Sequence, residues 1–233
     1  MTTGIFIKTC LKDLCWLRFC LESISRFGSG FESVVIVADS DCRKEMSNLP
    51  QIGQEVVFVD MWANGYIHQQ YVKLHADLYC KADTILFVDS DCVFHTPFAP
   101  SDFIVDGKPL LLKTRYGTLG DGDVWQKITE SFCGWPVEFE YMRRLPMAFP
   151  SKVLPEIRSL FGRKINQLKK MKDRSFSEFN VIGAFIAKYC PDSCSIVDTE
   201  DFCPPTVATQ FWSWGGLTKE VVSKIELHMN GLK

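Results

Sequence analysis

The chain has 233 residues and a mass of 26.6 kDa; 46% of its residues are hydrophobic, 23% are charged, and the formal net charge at pH 7 is −2. This composition is typical of a globular protein and excludes a disordered or fibrous chain, while the lack of a basic excess argues against a nucleic-acid-binding protein. Because a chain of this length buries roughly 70–75% of the surface that its unfolded form exposes, we expect one domain over residues 1–233.

The sequence shows no segment expected to enter a membrane. No run approaches the roughly 18 apolar residues that a bilayer span needs, and the N-terminus lacks the features of a signal peptide. Cysteines such as Cys20, Cys80 and Cys190 lie among apolar residues, as buried free thiols do. We therefore expect reduced cysteines and a cytoplasmic location. An anchor or a second domain beyond Lys233 is the alternative.

The first half of the chain alternates apolar strand runs with helical patterns. The predicted strands are residues 4–9, 33–39, 55–60, 84–89 and 109–114, and the predicted helices are residues 13–27 and 67–79. This alternation predicts an α/β, Rossmann-like fold with a mainly parallel central sheet and flanking helices.

The pattern changes near residue 115, where a glycine-rich segment begins and no clean strand–helix alternation resumes. We interpret residues 115–233 as a smaller subregion of the same domain. Within it, residues 162–174 carry six basic side chains against one acid. Such a run is typical of a solvated surface segment, and the functional alternative is a lid that contacts a diphosphate.

Polar side chains follow three of the predicted strands at their carboxyl ends. The three groups are Thr9 with Lys12 and Asp13, Asp39-Ser40-Asp41, and Asp89-Ser90-Asp91. Because ligands of open parallel sheets bind beyond these strand ends, we expect the groups to meet at one crevice.

Asp89 and Asp91 form the strongest candidate for a metal site. Residues i and i+2 of an extended chain project to the same side, about 6.5 Å apart, and two carboxylates so placed repel unless a cation lies near them. Carboxylate oxygens favour Mg²⁺ or Mn²⁺, which would neutralise charge developing on a departing diphosphate.

The sequence contains Asp-Ser-Asp twice, and context separates the two copies. Only the second lies in the longer run ADTILFVDSDCVF, after the polar segment 69–74. The first copy, after the second strand, suits recognition of a nucleoside through its base or ribose by Asp39. The structural alternative for Asp39 is a turn residue or a helix N-cap.

Three segments carry a resemblance to a known family. KLHADLYCKADTILFVDSDCVFHTPF, YMRRLPMAFP and SFSEFNVIGAF, in this order and spacing, resemble bacterial and viral GT-A glycosyltransferases, in particular the small glycosyltransferase domains of large algal viruses. The resemblance covers most of residues 69–187. It implies a GT-A fold whose residues 1–114 bind a nucleotide sugar and whose residues 115–233 face the acceptor. For a viral protein it implies the host cytoplasm, with a larger multidomain glycosyltransferase as an alternative context.

The resemblance also implies an activity, the transfer of a sugar from a nucleoside-diphosphate sugar to a glycan or another hydroxyl acceptor. The donor would be a UDP-sugar, with uridine near Thr9 and Asp39 and with Lys73 close to the nucleotide. Ser177 and Glu178 would lie near the sugar or the acceptor. The candidate donor-binding residues are Thr9, Lys12, Asp39, Lys73, Asp89, Ser90 and Asp91, and the metal ligands are Asp89 and Asp91.

One departure from the family concerns the third metal ligand. Many GT-A enzymes add a histidine near the C-terminus, whereas the corresponding region here, residues 210–216, reads QFWSWGG and the only later candidate is His228. The identity of a third protein ligand therefore stays open.

Three carboxylates are candidates for the catalytic base. Glu178 is the first, and its structural alternative is a capping box formed with Ser175 at the start of a helix. Asp121 and Asp123, in the segment LGDGD, are the rivals, with turn formation as their alternative role.

Two tryptophans and three histidines complete the candidates. Trp212 and Trp214 would suit a sugar-stacking platform, but paired tryptophans in so apolar a chain are more often core residues. His68, His75 and His95 receive no role.

Two other functions compete with glycosyl transfer. A phosphatase of the haloacid-dehalogenase type uses an Asp-x-Asp motif, but that motif normally ends the first strand, and three strands precede Asp89 here. The non-enzymatic alternative is a sugar-nucleotide or glycan-binding module without turnover.

Overall fold

The computed structural model describes residues 1–62, 64–143, 145–171, 176–202, 204 and 206–230, without the side chains of residues 121 and 122. Its strands are, in chain order, β1 (Thr3–Thr9), β2 (Ser33–Asp39), β3 (Glu55–Val59), β4 (Thr84–Asp89), β5 (Cys92–Phe94), β6 (Ile104–Val105), β7 (Lys108–Arg115), β8 (Phe139–Glu140), β9 (Met147–Pro150), β10 (Ser195–Asp198) and β11 (Ala208–Gln210). The α-helices are α1 (Leu14–Phe27), α2 (Gly65–Lys73), α3 (Trp125–Cys133), α4 (Val153–Leu168), α5 (Glu178–Tyr189) and α6 (Lys219–Met229).

A five-stranded sheet forms the centre of the fold, in the order β3-β2-β1-β4-β9. The first four of these strands are parallel, and β9 runs antiparallel to β4. The predicted mixed α/β fold with a mainly parallel sheet and flanking helices is therefore confirmed, and it is compatible with a Rossmann-like fold.

Helices cover both faces of this sheet because successive side chains of each strand point to opposite sides. On one face Ile5, Ile7 and Leu86 pack against the apolar stripe of α1. On the other face Phe6 and Phe87 pack against buried side chains of α2, α4 and α5. Each large apolar side chain buried in these layers contributes about 1.5–3 kcal/mol relative to an exposed one.

The fifth predicted strand forms but lies in a different sheet. β7 pairs with β10, β6 and β8, whereas the fifth strand of the central sheet is β9, which the sequence analysis did not identify. A two-stranded antiparallel ribbon, β5 with β11, continues from the end of β4. This ribbon brings the C-terminal part of the chain to the carboxyl end of the central sheet.

The second predicted helix is shorter than expected. The side chain of Asn64 accepts hydrogen bonds from the backbone N–H groups of Tyr66 and Ile67, so α2 begins at Gly65. It ends at Lys73, and the chain continues through the 3₁₀ turn Ala76–Leu78. The end of α2 therefore leaves Lys73 in the last turn, facing the central sheet.

The second half of the chain completes the core. α4 and α5 pack on the face of the sheet that α2 also covers. α5 approaches Tyr141 so closely that a Cβ at Gly183 would collide with the Tyr141 ring, so glycine is needed there. Of the basic run, residues 162–168 are the last turns of α4, with Ile165 and Leu168 buried. Residues 172–174, which the lid hypothesis includes, lie outside the described residues.

Two further expectations can be compared with the structure. The nine cysteines in the described part of the chain are all free thiols, as the sequence analysis predicted. Among the described residues, none of the helices combines the length and the apolar character that crossing a bilayer requires.

Candidate functional site

The sheet brings the carboxyl ends of three predicted strands to one edge, while the meeting of their polar groups in one crevice stays a prediction. β1 lies between β2 and β4, and all three strands run parallel, so their carboxyl ends share one edge. In the register of the sheet, Lys8 of β1 lies beside Val37 on one side and beside Asp89 on the other. Two clusters of charged side chains form along this edge, one at Asp39 and one at Asp89.

The first cluster is a buried ion pair between β1 and β2. The Nζ of Lys8 donates to Oδ1 of Asp39 at 2.6 Å and to the carbonyl of Thr9 at 2.6 Å. The Nε2 of His68 lies 3.3 Å from the same carboxylate oxygen, without the alignment of a hydrogen bond. All three side chains are at most 3% exposed.

These neighbours determine the hydrogen bonding and the ionisation of the Asp39 side chain. Asp39 occupies the N-cap position of the 3₁₀ helix Ser40–Lys44, as its structural alternative expects, but its side chain pairs with Lys8 and makes no capping hydrogen bond. Burial alone would raise the pKa of Asp39, but the neighbouring His68 and Lys8 outweigh burial and lower the pKa below its usual value. Asp39 is therefore an ionised partner of a buried lysine.

Thr9 and Lys12 differ in their surroundings, although both follow β1 closely. The hydroxyl oxygen of Thr9 is buried and has no hydrogen-bond partner among the described residues. Lys12 is exposed to solvent. Thr9 thus contributes an unsatisfied polar atom to the sheet edge, whereas the side chain of Lys12, three residues later, is exposed to solvent.

The second cluster forms where the chain leaves β4 and continues into β5. The side-chain Nε2 of Gln210 lies 3.3 Å from Oδ2 of Asp89 and 3.3 Å from Oδ1 of Asp91. The backbone N–H of Ser213 donates to the other oxygen of Asp91 at 2.8 Å. Ser90 is buried in the turn between the two carboxylates. One amide nitrogen therefore lies between the two carboxylates that the sequence analysis assigned to a cation.

Gln210 reaches this position through the β5–β11 ribbon. It lies opposite Cys92 in the antiparallel register, and the next backbone N–H, of Phe211, donates to the carbonyl of Asp91 at 3.0 Å. Gln210 thus reaches the carboxylates from residues 210–216, the segment in which the sequence analysis left a third ligand open. His228 lies elsewhere, against the rings of Phe211 and His95.

Lys73 connects this cluster to α5. Its Nζ lies 2.7 Å from Oδ1 of Asp89 and 3.0 Å from Oε1 of Glu178, and its side chain is 3% exposed. Burial alone would lower the pKa of Lys73, but the two carboxylates outweigh burial and raise it. Lys73 is therefore a permanent cation at the carboxyl end of the sheet.

The capping-box alternative for Glu178 is wrong. α5 begins at Glu178 itself, with Ser177 in the N-cap position, so the glutamate lies in the first helical position and not in the third. Its backbone N–H donates to Oε1 of Gln70 at 3.1 Å. Burial and the nearby Asp89 raise the pKa of Glu178 despite the ion pair with Lys73. Its side chain is thus a buried carboxylate in the second cluster; Ser175 lies outside the described residues.

The second cluster carries more negative than positive charge. Lys73 contacts the carboxylates of Asp89 and Glu178, and the carboxylate of Asp91 lies beside Asp89 at the amide of Gln210. Burial and the charge of Asp89 raise the pKa of Asp91 to about 6, with Asp13 adding to the shift. Burial is the largest cause of this shift, and the negative charge of Asp89 adds to it.

The donor set fits a hard divalent cation in part. The described residues contain no group of three or more His, Cys, Asp or Glu side chains suited to holding a metal ion. Asp89 and Asp91 supply two carboxylates facing one point, and Gln210 supplies an amide beside them. Mg²⁺ and Mn²⁺ sites of this type commonly complete their shells with water and substrate phosphates.

The remaining predicted residues lie apart from this cluster or face solvent. The carboxylate of Asp123 accepts a hydrogen bond from the backbone N–H of Gly117 at 2.8 Å, which supports its turn alternative. The side chain of Asp121 lies outside the described residues. Trp212 and Trp214 are 57% and 80% exposed, so their interpretation as core residues is wrong.

Sequence reasoning missed four residues of the two clusters. Lys8 and His68 complete the first cluster, while Gln70 and Gln210 complete the second. Lys8 carried a usable signal, because a lysine inside the apolar run GIFIKT requires a buried partner. The other three are polar residues outside such apolar strand runs, so the sequence gives no local reason to expect a buried partner for them.

Comparison with known protein families found no match for this sequence, and comparison with curated proteins found none either.

Proposed function

We propose that the chain is a cation-dependent glycosyltransferase of the GT-A type, which transfers a sugar from a nucleoside-diphosphate sugar, a UDP-sugar, to a hydroxyl acceptor. The observation that supports this most is the convergence of Asp89 and Asp91 on one amide nitrogen at the carboxyl edge of a mainly parallel sheet. The excess of carboxylates over lysine there favours binding of a cation, with Mn²⁺ or Mg²⁺ as the candidates.

Each side chain of the second cluster has a role in this proposal. Asp89 and Asp91 would hold the cation, which supplies charge neutralisation for the departing nucleoside diphosphate. Lys73 fixes the orientation of Asp89 through its 2.7 Å contact and adds a positive charge to the diphosphate side. Glu178, whose pKa is raised, would accept the proton of the acceptor hydroxyl.

The first cluster would serve the nucleoside. Asp39 ends β2 and Asp89 ends β4, on either side of β1, so a nucleotide bound along the sheet edge would pass both strand ends. The unsatisfied hydroxyl of Thr9 lies at the same edge and is a group that a ligand could satisfy after a small movement. Because Asp39 is held by Lys8, its contribution would be indirect, by keeping the end of β1 in place.

The test compares the two Asp-Ser-Asp segments directly. Calorimetry measures binding of UDP to the wild-type chain with and without Mn²⁺, then to Asp91→Ala and to Asp41→Ala. We expect Mn²⁺ to strengthen UDP binding in the wild type and in Asp41→Ala, and to have no effect in Asp91→Ala. Asp41 is the matched control because it is the exposed second aspartate of the other segment.

Three outcomes would speak against the proposal in different ways. Equal, metal-independent binding in all proteins would remove the cation from Asp89 and Asp91. Cation-dependent UDP binding without hydrolysis or transfer of any UDP-sugar would favour the binding-module alternative. Release of phosphate from p-nitrophenyl phosphate, lost in Asp89→Asn, would favour the phosphatase.

A further inference from the structure

The C-terminal segment after β11 exposes two tryptophans beside the second cluster. Trp212 is 57% exposed and Trp214 is 80% exposed, whereas Trp16 of the same chain is 2% exposed. Between the two lies Ser213, whose backbone N–H donates to the carboxylate of Asp91. Both indoles are therefore attached within one residue of a direct contact to the proposed cation site.

This segment is anchored on both sides of the exposed rings. Gln210 is paired to β5 in the ribbon, and the ring of Phe211 stacks on Trp16 with centroids 6.4 Å apart. After Trp214, the N–H groups of Gly215 and Gly216 bond back to the carbonyls of Trp212 and Ser213. The side chain of Phe211 thus faces the protein, while the indoles on either side of Ser213 face solvent.

The backbone of Trp212 adds an independent observation. Its φ angle is +56°, in the left-handed region that a bulky side chain rarely adopts. A strained residue persists only where its surroundings hold it, and such residues concentrate at binding and catalytic sites. The residues on either side of Trp212 are both anchored on Asp91, because the backbone N–H of Phe211 donates to the Asp91 carbonyl and that of Ser213 donates to its carboxylate.

We infer that Trp212 and Trp214 bind the sugar ring of the acceptor, an inference that rests on the proposed function. The apolar C–H face of a pyranose packs on an aromatic ring, while its hydroxyl groups stay free for polar neighbours. Asp39 ends β2, whereas the ribbon that carries the tryptophans continues from β4, which lies on the other side of β1 in the sheet. This arrangement leaves the tryptophans to the second substrate and sets an acceptor hydroxyl next to the carboxylates.

Saturation-transfer NMR tests the inference with simple probes. Methyl glycosides of glucose, galactose, mannose, fucose, rhamnose and xylose are each added to the wild-type chain with UDP and Mn²⁺. We expect at least one glycoside to receive saturation at its ring C–H protons. Its binding should weaken by about tenfold in Trp214→Ala and recover in Trp214→Phe, because an aromatic ring is the group required.

Two controls separate this inference from the proposed function and from misfolding. Tyr189→Ala removes a 51% exposed aromatic ring at the far end of α5 and should leave glycoside binding unchanged. Calorimetry with UDP and Mn²⁺ should give the same affinity for Trp214→Ala as for the wild type. If the wild-type chain does not bind UDP, the proposed function is refuted. That result would not by itself refute sugar binding by the two tryptophans.

Two results would overturn the inference. One is a glycoside that binds equally well to the wild type, Trp212→Ala and Trp214→Ala, which would locate the sugar elsewhere. The other is the absence of saturation transfer to all six methyl glycosides in a wild-type chain that binds UDP with Mn²⁺.

Discussion

The two Asp-Ser-Asp segments have the same sequence at the ends of two parallel strands, yet their surroundings differ. After β2 the chain turns at once into the 3₁₀ helix Ser40–Lys44, which leaves Asp39 buried and Asp41 exposed. After β4 the chain turns into β5, and the carboxylates of Asp89 and Asp91 both reach Gln210. The conformation that follows the motif therefore decides whether its two carboxylates act together.

The two segments also differ in how well their carboxylates are matched by positive charge. Asp39 has a buried lysine partner of its own, and its pKa is lowered. Asp89 and Glu178 share Lys73, Asp91 has no lysine contact among the described residues, and its pKa is raised to about 6. Because the charge of Asp39 is matched within the protein, the first segment acts through the fold. The unmatched charge of the second segment favours binding of a cation.

If the first segment serves the fold, Asp39→Ala will have the largest effect on stability of the variants considered. Removing one partner of a buried ion pair leaves Lys8 uncompensated, at a cost of about 3–5 kcal/mol in the free energy of unfolding. Urea denaturation measures this loss. The matched control, Asp41→Ala, removes an exposed carboxylate and should change stability by less than about 0.5 kcal/mol.

The same comparison predicts a pH dependence with a defined sign. The pKa of Asp39 is lower in the folded chain than in the unfolded chain, so its contribution is fully present above the unfolded value of about 3.9 and is lost as the pH falls through the folded value. The stability difference between wild type and Asp39→Ala should therefore shrink below about pH 4. A difference that is constant down to pH 2, or an Asp39→Ala protein as stable as wild type, would contradict the structural role.

Glu178→Gln addresses the chemistry of the second segment. A glutamine keeps the shape of the side chain and its contact with Lys73 but has no useful basicity, so transfer to the acceptor should fall by about 100-fold. UDP binding with Mn²⁺ should change little, because the cation ligands stay in place. Transfer is measured with the acceptor sugar once one is found, and hydrolysis of the UDP-sugar serves until then.

Asp123→Asn is the matched control for that experiment. Its carboxylate holds the backbone N–H of Gly117 and makes no described contact with the second cluster, so its transfer rate should stay near that of the wild type. Near-normal transfer by Glu178→Gln together with a loss in Asp123→Asn would move the base to the glycine-rich segment.

Much of the central sheet could be predicted from the sequence because its strands are buried on both faces. Such strands leave continuous apolar runs, and the predictions for residues 33–39 and 84–89 match β2 and β4 at both ends. The closeness of the Asp89 and Asp91 carboxylates also followed from sequence, since the two residues are two positions apart, while their binding of a cation stays a prediction. The end of α2 did not follow, because residues 74–79 keep a helical pattern that tertiary contacts override.

The parts that could not be predicted depend on short elements and distant partners. β5 and β11 have three residues each, too few to leave a periodic pattern, and they bring Gln210 to Asp89 across 121 positions of sequence. The exposure of Trp212 and Trp214 likewise follows from this ribbon, because the pairing of β11 directs Phe211 inward. Sequence composition alone favoured the core for both tryptophans, and that prediction was wrong.

The two segments also differ in one neutral side chain. Among the described residues, the carboxylates of the second segment are bridged by Gln210, and those of the first segment have no such bridge. The amide nitrogen of Gln210 faces both oxygens, and the choice between nitrogen and oxygen follows from the hydrogen-bond network. A bound cation would favour the opposite orientation, with Oε1 toward the ion, so the amide could join the ligands by turning over.

This leads to a prediction with two variants of opposite sign. Gln210→Glu adds a third carboxylate and should tighten Mn²⁺ binding by about tenfold, since affinity for hard cations rises with the number of charged ligands. Gln210→Ala should weaken Mn²⁺ binding by only about threefold, because a neutral amide contributes less than a carboxylate. Calorimetric titration with Mn²⁺ alone measures both, and Ser47→Ala, far along the chain from the cluster, is a surface control. Tighter Mn²⁺ binding by Gln210→Ala would mean that the amide competes with the cation for the two carboxylates, and Gln210 would then be a residue that closes the site in the absence of metal.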